Sequence, residues 1–540
     1  MNAAPDRALD PSSARNGGWV RDGAALAGTM LIAGAIAAVV RQDANWDLKN
    51  YHFYNAWAFV HGRMGTDLAP AQLQTYLNPL LDVPFYAMVA ADWPPRAIAF
   101  VMGLWAGAGA YFLLRVLAIL FGALPPRERR NYIAFAAVIG LLAADPVALL
   151  ASTMNEWQGA ALTMLALLLV VRRLGLRAIG VGTLLAAGCV SGAAAGLKLT
   201  AATYSVGLCA ALFARTPIAR RGLPEAFAFG IGVLAGVAIT QGFWFYTLEA
   251  RFGNPFFPYF NDWFRSPWWD ARPVLEQQFG PKSALEWLYF PLLLFGRTAG
   301  VVAASGFRDW RLPFLYLAAA GALLAWLVRR RRDTTPATPG PADAWRFVAV
   351  FWVSAYGVWL AVHGVYRYLI PLELLCGALL LFCLRWIFAG RAINPAIVVV
   401  TVVLIASTRY PYLERIGYGR HYIEVSAPPI EPKSAVLLVD DAPMAFVLPY
   451  LPADARFVGV NNNLVAPTMT HRLATEIARV VRTHDGPLYV LAATPGSNAS
   501  VLAAHGLRRV EGGCAPVTSN LTKQAFELCR LERTRRASGR

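Results

Sequence analysis

The apolar positions of this chain gather into long uninterrupted runs, not into the short alternations of a soluble fold. Runs of about 17–25 apolar residues can cross a bilayer as helices. They fall near 23–41, 94–121, 132–151, 157–171, 178–195, 200–214, 224–244, 313–328, 345–362, 369–387 and 392–407. Leu285–Ala304 is apolar too, but Pro291, Gly296 and Arg297 interrupt it. It reads as a re-entrant or interfacial element buried against protein, because irregular backbone cannot face lipid.

Basic clusters punctuate the runs: Arg127/Arg129/Arg130, Arg172/Arg173/Arg177, Arg215/Arg220/Arg221, Arg329–Arg332 and Arg385/Arg391. With all eleven spans accepted, every cluster falls on one side, which the positive-inside rule makes cytoplasmic. One missed or surplus span would throw later clusters across the membrane. The tail 1–22 is then cytoplasmic, the membrane domain covers 23–407, and the C-terminus lies outside a bacterial-type inner membrane. Gly23–Val40 is followed by Gln-Asp-Ala-Asn, not by a small-residue cleavage site, so it reads as an uncleaved signal anchor. Asp333–Asp343, rich in Pro, Thr and Ala, reads as a cytoplasmic linker.

The outer side receives the polar stretches: loops 42–93 and 245–312, the turns Ser152–Trp157 and His363–Pro371, and everything after about Thr408. Within 424–540 the pattern changes. Ala435–Val439, Arg456–Val460 and Leu488–Ala492 read as short buried strands, and His471–Arg482 has helical periodicity. No glycine-rich phosphate loop follows any strand, which argues against nucleotide binding there. The expected architecture is a polytopic α-helical membrane protein of about eleven transmembrane helices, with a small α/β extracytoplasmic C-terminal domain.

Composition agrees. Of 540 residues 57% are hydrophobic and 15% charged, against about 25% charged in soluble chains. Net charge is +17, which in a soluble chain would suggest nucleic acid. Here the basic residues sit between apolar spans, so topology accounts for them and no nucleic-acid partner is expected. The 17 Trp, 20 Tyr and 29 Phe suit interfacial belts and sugar-sized surfaces. Six cysteines show no paired metal-ligand spacing. Four lie in apolar spans, and a Cys514–Cys529 disulfide is left open.

The stretch richest in chemistry is Asp43–Gly62, DANWDLKNYHFYNAWAFVHG, directly after the first span. Asp43 and Asp47, four apart, would share a helix face; capping of a helix by loop acids is the plain alternative. Asn155-Glu156, in STMNEW, marks the outer turn between the third and fourth spans, where it is either functional or a helix cap. Asp145-Pro146 reads as a kink. Lys198, in AAGLKLTAATYS, either neutralises a lipid phosphate or snorkels. Arg367-Tyr368 ends an outer turn, and an Arg fork suits phosphate oxygens. Gly253–Asn261, GNPFFPYFN, with two prolines and alternating aromatics, cannot form a regular helix. It either offers rings and amides to a sugar or anchors the loop among headgroups. Arg297, Arg308, Asp309 and Arg311 add phosphate contacts or rim ion pairs.

Asp47, then Tyr51, Ala56, Ala58 and Gly62, resembles the first outer loop of the GT-C superfamily of polyprenyl-phosphate-sugar-dependent glycosyltransferases. That loop has an acid, an aromatic four residues on, small residues along one face and a Gly about fifteen on. Many members carry Asp-Glu at this place, whereas here Leu48 follows Asp47. Tyr76-Leu-Asn-Pro79 and Leu81-Asp82-Val-Pro84 also resemble the family's descent into its second span. The resemblance implies transfer of a sugar from a polyprenyl-phosphate donor to a glycan or lipid acceptor, with Asp47 as base or orienting carboxylate. Asp43 stands in reserve and Glu156 is a second acid. Arg367 and Tyr368 hold the donor phosphate, helped by Lys198. Tyr51 and His52 of this loop, with Asn254, Asn261 and Arg297 from the reading of their own segments, complete the expected substrate-binding set. No nucleotide sugar is required, no cofactor is assigned, and a divalent cation on Asp43, Asp47 and Glu156 is left open. The competing classes are a flippase of lipid-linked glycans and a non-catalytic envelope assembly protein.

Overall fold

The structure is a computed structural model that describes residues 11–175, 178–215, 219–273, 279–330, 338–388, 392–494, 496 and 498–534, without the side chains of 11–20 and 219–221. Arg177, Arg331, Arg332 and Arg391, the side chains of Arg220 and Arg221, and residues 333–337 of the linker lie outside the described set.

A helix occupies each of the expected spans, except that in 132–151 the helix stops at Leu141, Ala143 is extended, and a separate short helix, Ala144–Ala148, follows. The span helices are α1 (Pro11–Val39), α2 (Pro95–Leu120), α3 (Pro126–Leu141), α4 (Glu156–Val171), α5 (Val181–Leu197) and α6 (Ala202–Phe213). Then come α7 (Ala219–Phe252), α8 (Arg311–Arg330), α9 (Ala342–Val362), α10 (Ile370–Ile387) and α11 (Ile393–Ser407). Among the described residues six helices are long and apolar enough to cross a membrane, so the chain is read as a multi-pass membrane protein. The others are shorter: α4, at 16 residues, reaches about 24 Å. The segment expected to be re-entrant carries only a ten-residue helix, Ala284–Leu293, about 15 Å long and too short to cross.

Close backbone packing holds the bundle. A methyl placed on Gly192 of α5 would lie 2.1 Å from the Val233 carbonyl of α7, and one on Gly236 would lie 2.1 Å from the Cys189 carbonyl. Small residues four apart on both helices therefore bring the two backbones together. Central helix α10 buries Leu372, Leu374, Leu375, Ala378 and Leu381 completely.

The C-terminal region forms a mixed six-stranded sheet in the order β3-β7-β8-β6-β4-β5. Its strands are β3 (Val425–Ser426), β4 (Ala435–Leu438), β5 (Arg456–Gly459), β6 (Leu488–Ala492), β7 (Leu507–Ser519) and β8 (Thr522–Arg533). β4 runs parallel to β5 and β6. Helix α12 (Arg472–Thr483) makes the crossover from β5 to β6. The antiparallel β7–β8 hairpin carries the Cys514–Cys529 disulfide between directly opposed residues.

This domain clamps the first loop. β1 (Gln42–Asp43) pairs antiparallel with β2 (Arg415–Ile416). Leu68 bridges to Val458. Arg63 bonds Asp67 at 2.7 Å and the Ala453 carbonyl at 2.6 Å. The helix after Asp47 buries Leu48, Phe53, Tyr54 and Trp57 against Met444–Leu448 and Phe457. The element carrying the candidate chemistry is thus held between the helical bundle and the sheet domain.

Candidate active site

Asn45 starts the critical helix by accepting from the Leu48 amide at 2.8 Å, as an N-cap asparagine does. Residues 46–60 are continuously helical, but Leu48–His52 forms a π turn. A π turn stacks residues five apart where an α-helix stacks residues four apart, and such turns concentrate at functional sites. His52, five residues after Asp47, is thereby swung onto the Asp47 side of the helix. Tyr51 keeps contact as well, its hydroxyl 3.5 Å from Asp47 Oδ2.

Asp47 accepts from Arg367 Nη1 at 2.9 Å. The Arg367 Nε lies 3.8 Å from Glu156 Oε1, its Nη2 is 3.3 Å from the Tyr368 hydroxyl, and its guanidinium sits over the Tyr368 ring at 5.3 Å. Lys198 Nζ donates to Glu156 Oε1 and, at 2.6 Å, to the Met154 carbonyl. Two carboxylates and two cations thus alternate in one ladder. The side chains of Arg367 and Lys198 are 33% and 20% exposed, those of Asp47 and Glu156 only 8% and 4%. The cations form the mouth and the carboxylates the floor.

Helix ends place these groups. Lys198 closes α5 in an extended conformation, φ −146°. Glu156 opens α4, where a helix N-terminus favours a carboxylate. Asn155 before it is left-handed, φ 66°, which asparagine tolerates better than most residues. Its amide does not cap α4. It donates to Asp82 at 2.6 Å while its carbonyl accepts from Gln158 at 2.9 Å. Asp82 in turn bonds His52 Nδ1 at 2.7 Å.

Burial alone would push the Asp47 carboxyl up. The charges of Arg367 and Lys198, with the Arg367 hydrogen bond, outweigh it and hold Asp47 below the usual carboxylate range. Burial, then the Asp47 charge, pushes the Tyr51 phenol well above its usual value, so it stays a neutral donor.

The structure brings together Asp47, Glu156, Lys198, Arg367, Tyr368, Tyr51 and His52. Asp43 is elsewhere engaged. Its Oδ2 accepts from the Thr153 amide at 2.8 Å, the Thr153 hydroxyl at 2.9 Å and Asn45 at 2.6 Å. It staples the first loop to the turn before α4, and its lone pairs are taken. The expected three-carboxylate oxygen site therefore lacks Asp43 as a free ligand. Asn254 and Asn261, both fully buried, close the aromatic loop on itself. Asn261 donates to the Ser266 and Trp269 carbonyls at 2.9 and 2.8 Å and accepts from the Ser266 amide at 2.9 Å. Asn254 bonds the Tyr259 carbonyl, Asn261 and the Phe256 amide. Neither offers an amide to a sugar. Arg297 is exposed beyond the short 284–293 helix and has no contact with the ladder among the described residues.

Two residues were not singled out from the sequence. Asp82 was hidden in a Pro-rich interface motif. Glu373 is a lone acid near the start of α10, fully buried, with no well-formed hydrogen bond to either oxygen; an acid inside an apolar span was the available signal. Nearby, Asp309 and Arg311 form a fully buried pair at 2.7 Å. Arg311 also bonds the Ile139 carbonyl at 2.6 Å and Asp309 the Ala144 amide at 2.8 Å, so this pair ties α8 to the end of α3. Two cavities of about 540 Å³, one lined by Arg115 and Arg172 and one by Arg127 and Tyr132, open at the opposite end of the bundle.

No protein-family model matches the sequence, and no curated protein matches it. Among solved structures, the chain is similar to the crystal structure of ArnT from Cupriavidus metallidurans bound to undecaprenyl phosphate, at 11% identity and a TM-score of 0.46, over 95% of this chain and 98% of that one. Likeness at that TM-score carries no weight for the fold or for the chemistry.

Proposed function

We propose that this protein is a GT-C-type membrane glycosyltransferase. It transfers a sugar from a polyprenyl-phosphate donor to an acceptor hydroxyl on the outer face of an inner membrane, with inversion, in envelope glycan or glycolipid assembly. The observation that carries the reading is the ladder itself: Arg367 and Lys198 at the mouth with Asp47 and Glu156 behind them. A lipid phosphate approaching this end meets the cations first. Negative charge grows on that phosphate as the glycosidic bond breaks, and fixed cations in a water-poor site stabilise it. The Arg367 Nε, buried and without a hydrogen-bond partner, is a donor available to a phosphate oxygen.

Asp47 serves best as the carboxylate that orients Arg367 and the acceptor hydroxyl. A carboxyl held below its usual range is a weak proton acceptor. The disulfide of the sheet domain fits an oxidising compartment and hence the outer face.

The test uses purified protein with labelled polyprenyl-phosphate sugars and membrane extract as acceptor source. Transfer of label supports the reading. Lipid scrambling in vesicles without transfer would instead make the protein a flippase.

A further inference from the structure

We propose that His52 is the proton acceptor of the transfer reaction and that Asp82 is the residue that positions it. This rests on the glycosyltransferase reading, which leaves a question open: the acceptor hydroxyl must lose a proton, and Asp47 is engaged with Arg367.

The geometry is that of an oriented histidine. Asp82 Oδ1 lies 2.7 Å from His52 Nδ1, with side-chain exposures of 4% for the histidine and 6% for the aspartate. Beside a carboxylate, Nδ1 carries the hydrogen, which leaves a lone pair on Nε2. Asp82 is fixed from its other side by Asn155, whose left-handed backbone directs the amide to it at 2.6 Å. The Tyr51 ring lies 4.0 Å from the imidazole, centroid to centroid, and restrains its plane. Nε2, on the far edge of the ring, is buried and has no hydrogen-bond partner. A buried lone pair without a donor is a cost; among the described residues His471, His484 and His505 also leave Nε2 unpaired, but of these four only His52 has its Nδ1 held by a buried carboxylate. An acceptor hydroxyl would supply the missing donor. The π turn explains why the imidazole is available here: an α-helical turn would carry residue 52 off the Asp47 side.

The step balances as follows. The acceptor oxygen forms its bond to the anomeric carbon while its proton passes to His52 Nε2. The bond from that carbon to the phosphate oxygen breaks, and its electron pair leaves with the polyprenyl phosphate, held by Arg367 and Lys198. Asp82 stabilises the imidazolium, which then gives its proton to water as product leaves. In this scheme a carboxylate orients the histidine and a separate charged group stabilises the leaving oxygen, a division of labour common in acid–base catalysis.

The experiment uses the full-length protein in the transfer assay. His52→Ala is expected to lose about 10²–10⁴-fold in kcat, and added imidazole should restore transfer in a concentration-dependent way. Asp82→Asn should lower kcat with the donor KM unchanged. Transfer by His52→Ala within tenfold of wild type would overturn the proposal. So would a folded, inactive His52→Ala that imidazole does not rescue, since a purely structural histidine predicts that result. Should His52→Ala fail to fold, His52→Gln takes its place, and near-normal transfer by that variant overturns the proposal equally. An inactive wild-type protein would instead refute the glycosyltransferase reading itself, so the two failures are distinguishable.

Discussion

The ladder around Asp47 and the aromatic loop at 253–269 both looked rich in chemistry along the chain, and the fold treats them in opposite ways. In the loop both side-chain amides are satisfied: Asn254 and Asn261 bond backbone groups and each other, and the turn is locked, with the Trp269 indole N–H its one buried group without a partner among the described residues. Around Asp47 the hydrogen bonding is left unfinished. Glu156 Oε2, His52 Nε2 and Arg367 Nε are buried without partners. Buried polar groups in native proteins are almost always paired, so three orphans in one place mark where a ligand completes the structure. Polar content in a sequence does not distinguish these cases; satisfaction in the fold does.

The sharpest way to break the comparison is to remove one group from each region. Arg367→Lys, which keeps a positive charge beside Asp47 but loses the guanidinium fork, should reduce transfer by about 10²-fold, while thermal unfolding in detergent moves little. Asn261→Ala should do the reverse. It orphans several buried backbone groups at about 1–3 kcal/mol each, so unfolding temperature falls clearly and transfer per folded molecule stays within twofold. If Asn261→Ala abolished transfer in a folded protein, the loop would belong to the site.

A smaller effect is expected at the second rung. Glu156→Gln leaves Lys198 without its carboxylate, and a loss of about tenfold in transfer, about 1.4 kcal/mol, should be shared with Lys198→Met. A double-mutant cycle checks this: independent, additive effects would contradict the pairing.

The acid limb tests the Asp47–Arg367 pair. The folded value of the Asp47 carboxyl is depressed, so its stabilising contribution is complete above the ordinary carboxylate range, around 4. That contribution is lost as pH falls below that range through the lower folded value. Wild-type protein should therefore lose more stability than Asp47→Asn as pH drops there, read by thermal unfolding. Parallel pH curves would contradict the pairing. The smallest effect belongs to Lys49→Met. Its partner Glu414 is 38% exposed, and removal of such a pair should cost at most about 1 kcal/mol and leave transfer unchanged.

Much of this architecture was legible in the chain because hydrophobic length and charge bias are collective signals. Apart from the break after Leu141 in the run 132–151, the helices coincide with the apolar runs, and α12 and strands β4, β5 and β6 fall where periodicity placed them. The β7–β8 hairpin was not legible. Leu507–Ser519 includes Arg508, Arg509, a Gly pair and Pro516, and most of its side chains are exposed or half-buried, so no apolar face announces a strand. Within the site, Asp47 and Tyr51 were found through the spacing of a familiar first loop, and Glu156, Lys198 and Arg367 as unusual polar residues at apolar boundaries. Asp82 and the dyad it forms with His52 were not, because their pairing spans thirty residues and depends on a π turn that spacing rules for α-helices miss. Asp43 and Asp47 were indistinguishable by residue type. The fold separates them by giving Asp43 to the Thr153 backbone and Asp47 to Arg367.

The most direct test of the Asp47–Arg367 pair as a reaction centre is release of polyprenyl phosphate from a labelled polyprenyl-phosphate sugar by purified wild-type and Asp47→Asn protein, with membrane extract as acceptor source and donor binding measured in parallel. Release by wild type, with a loss of at least about 10²-fold in a variant that still binds donor, is the expected result. Equal release by both proteins would contradict it.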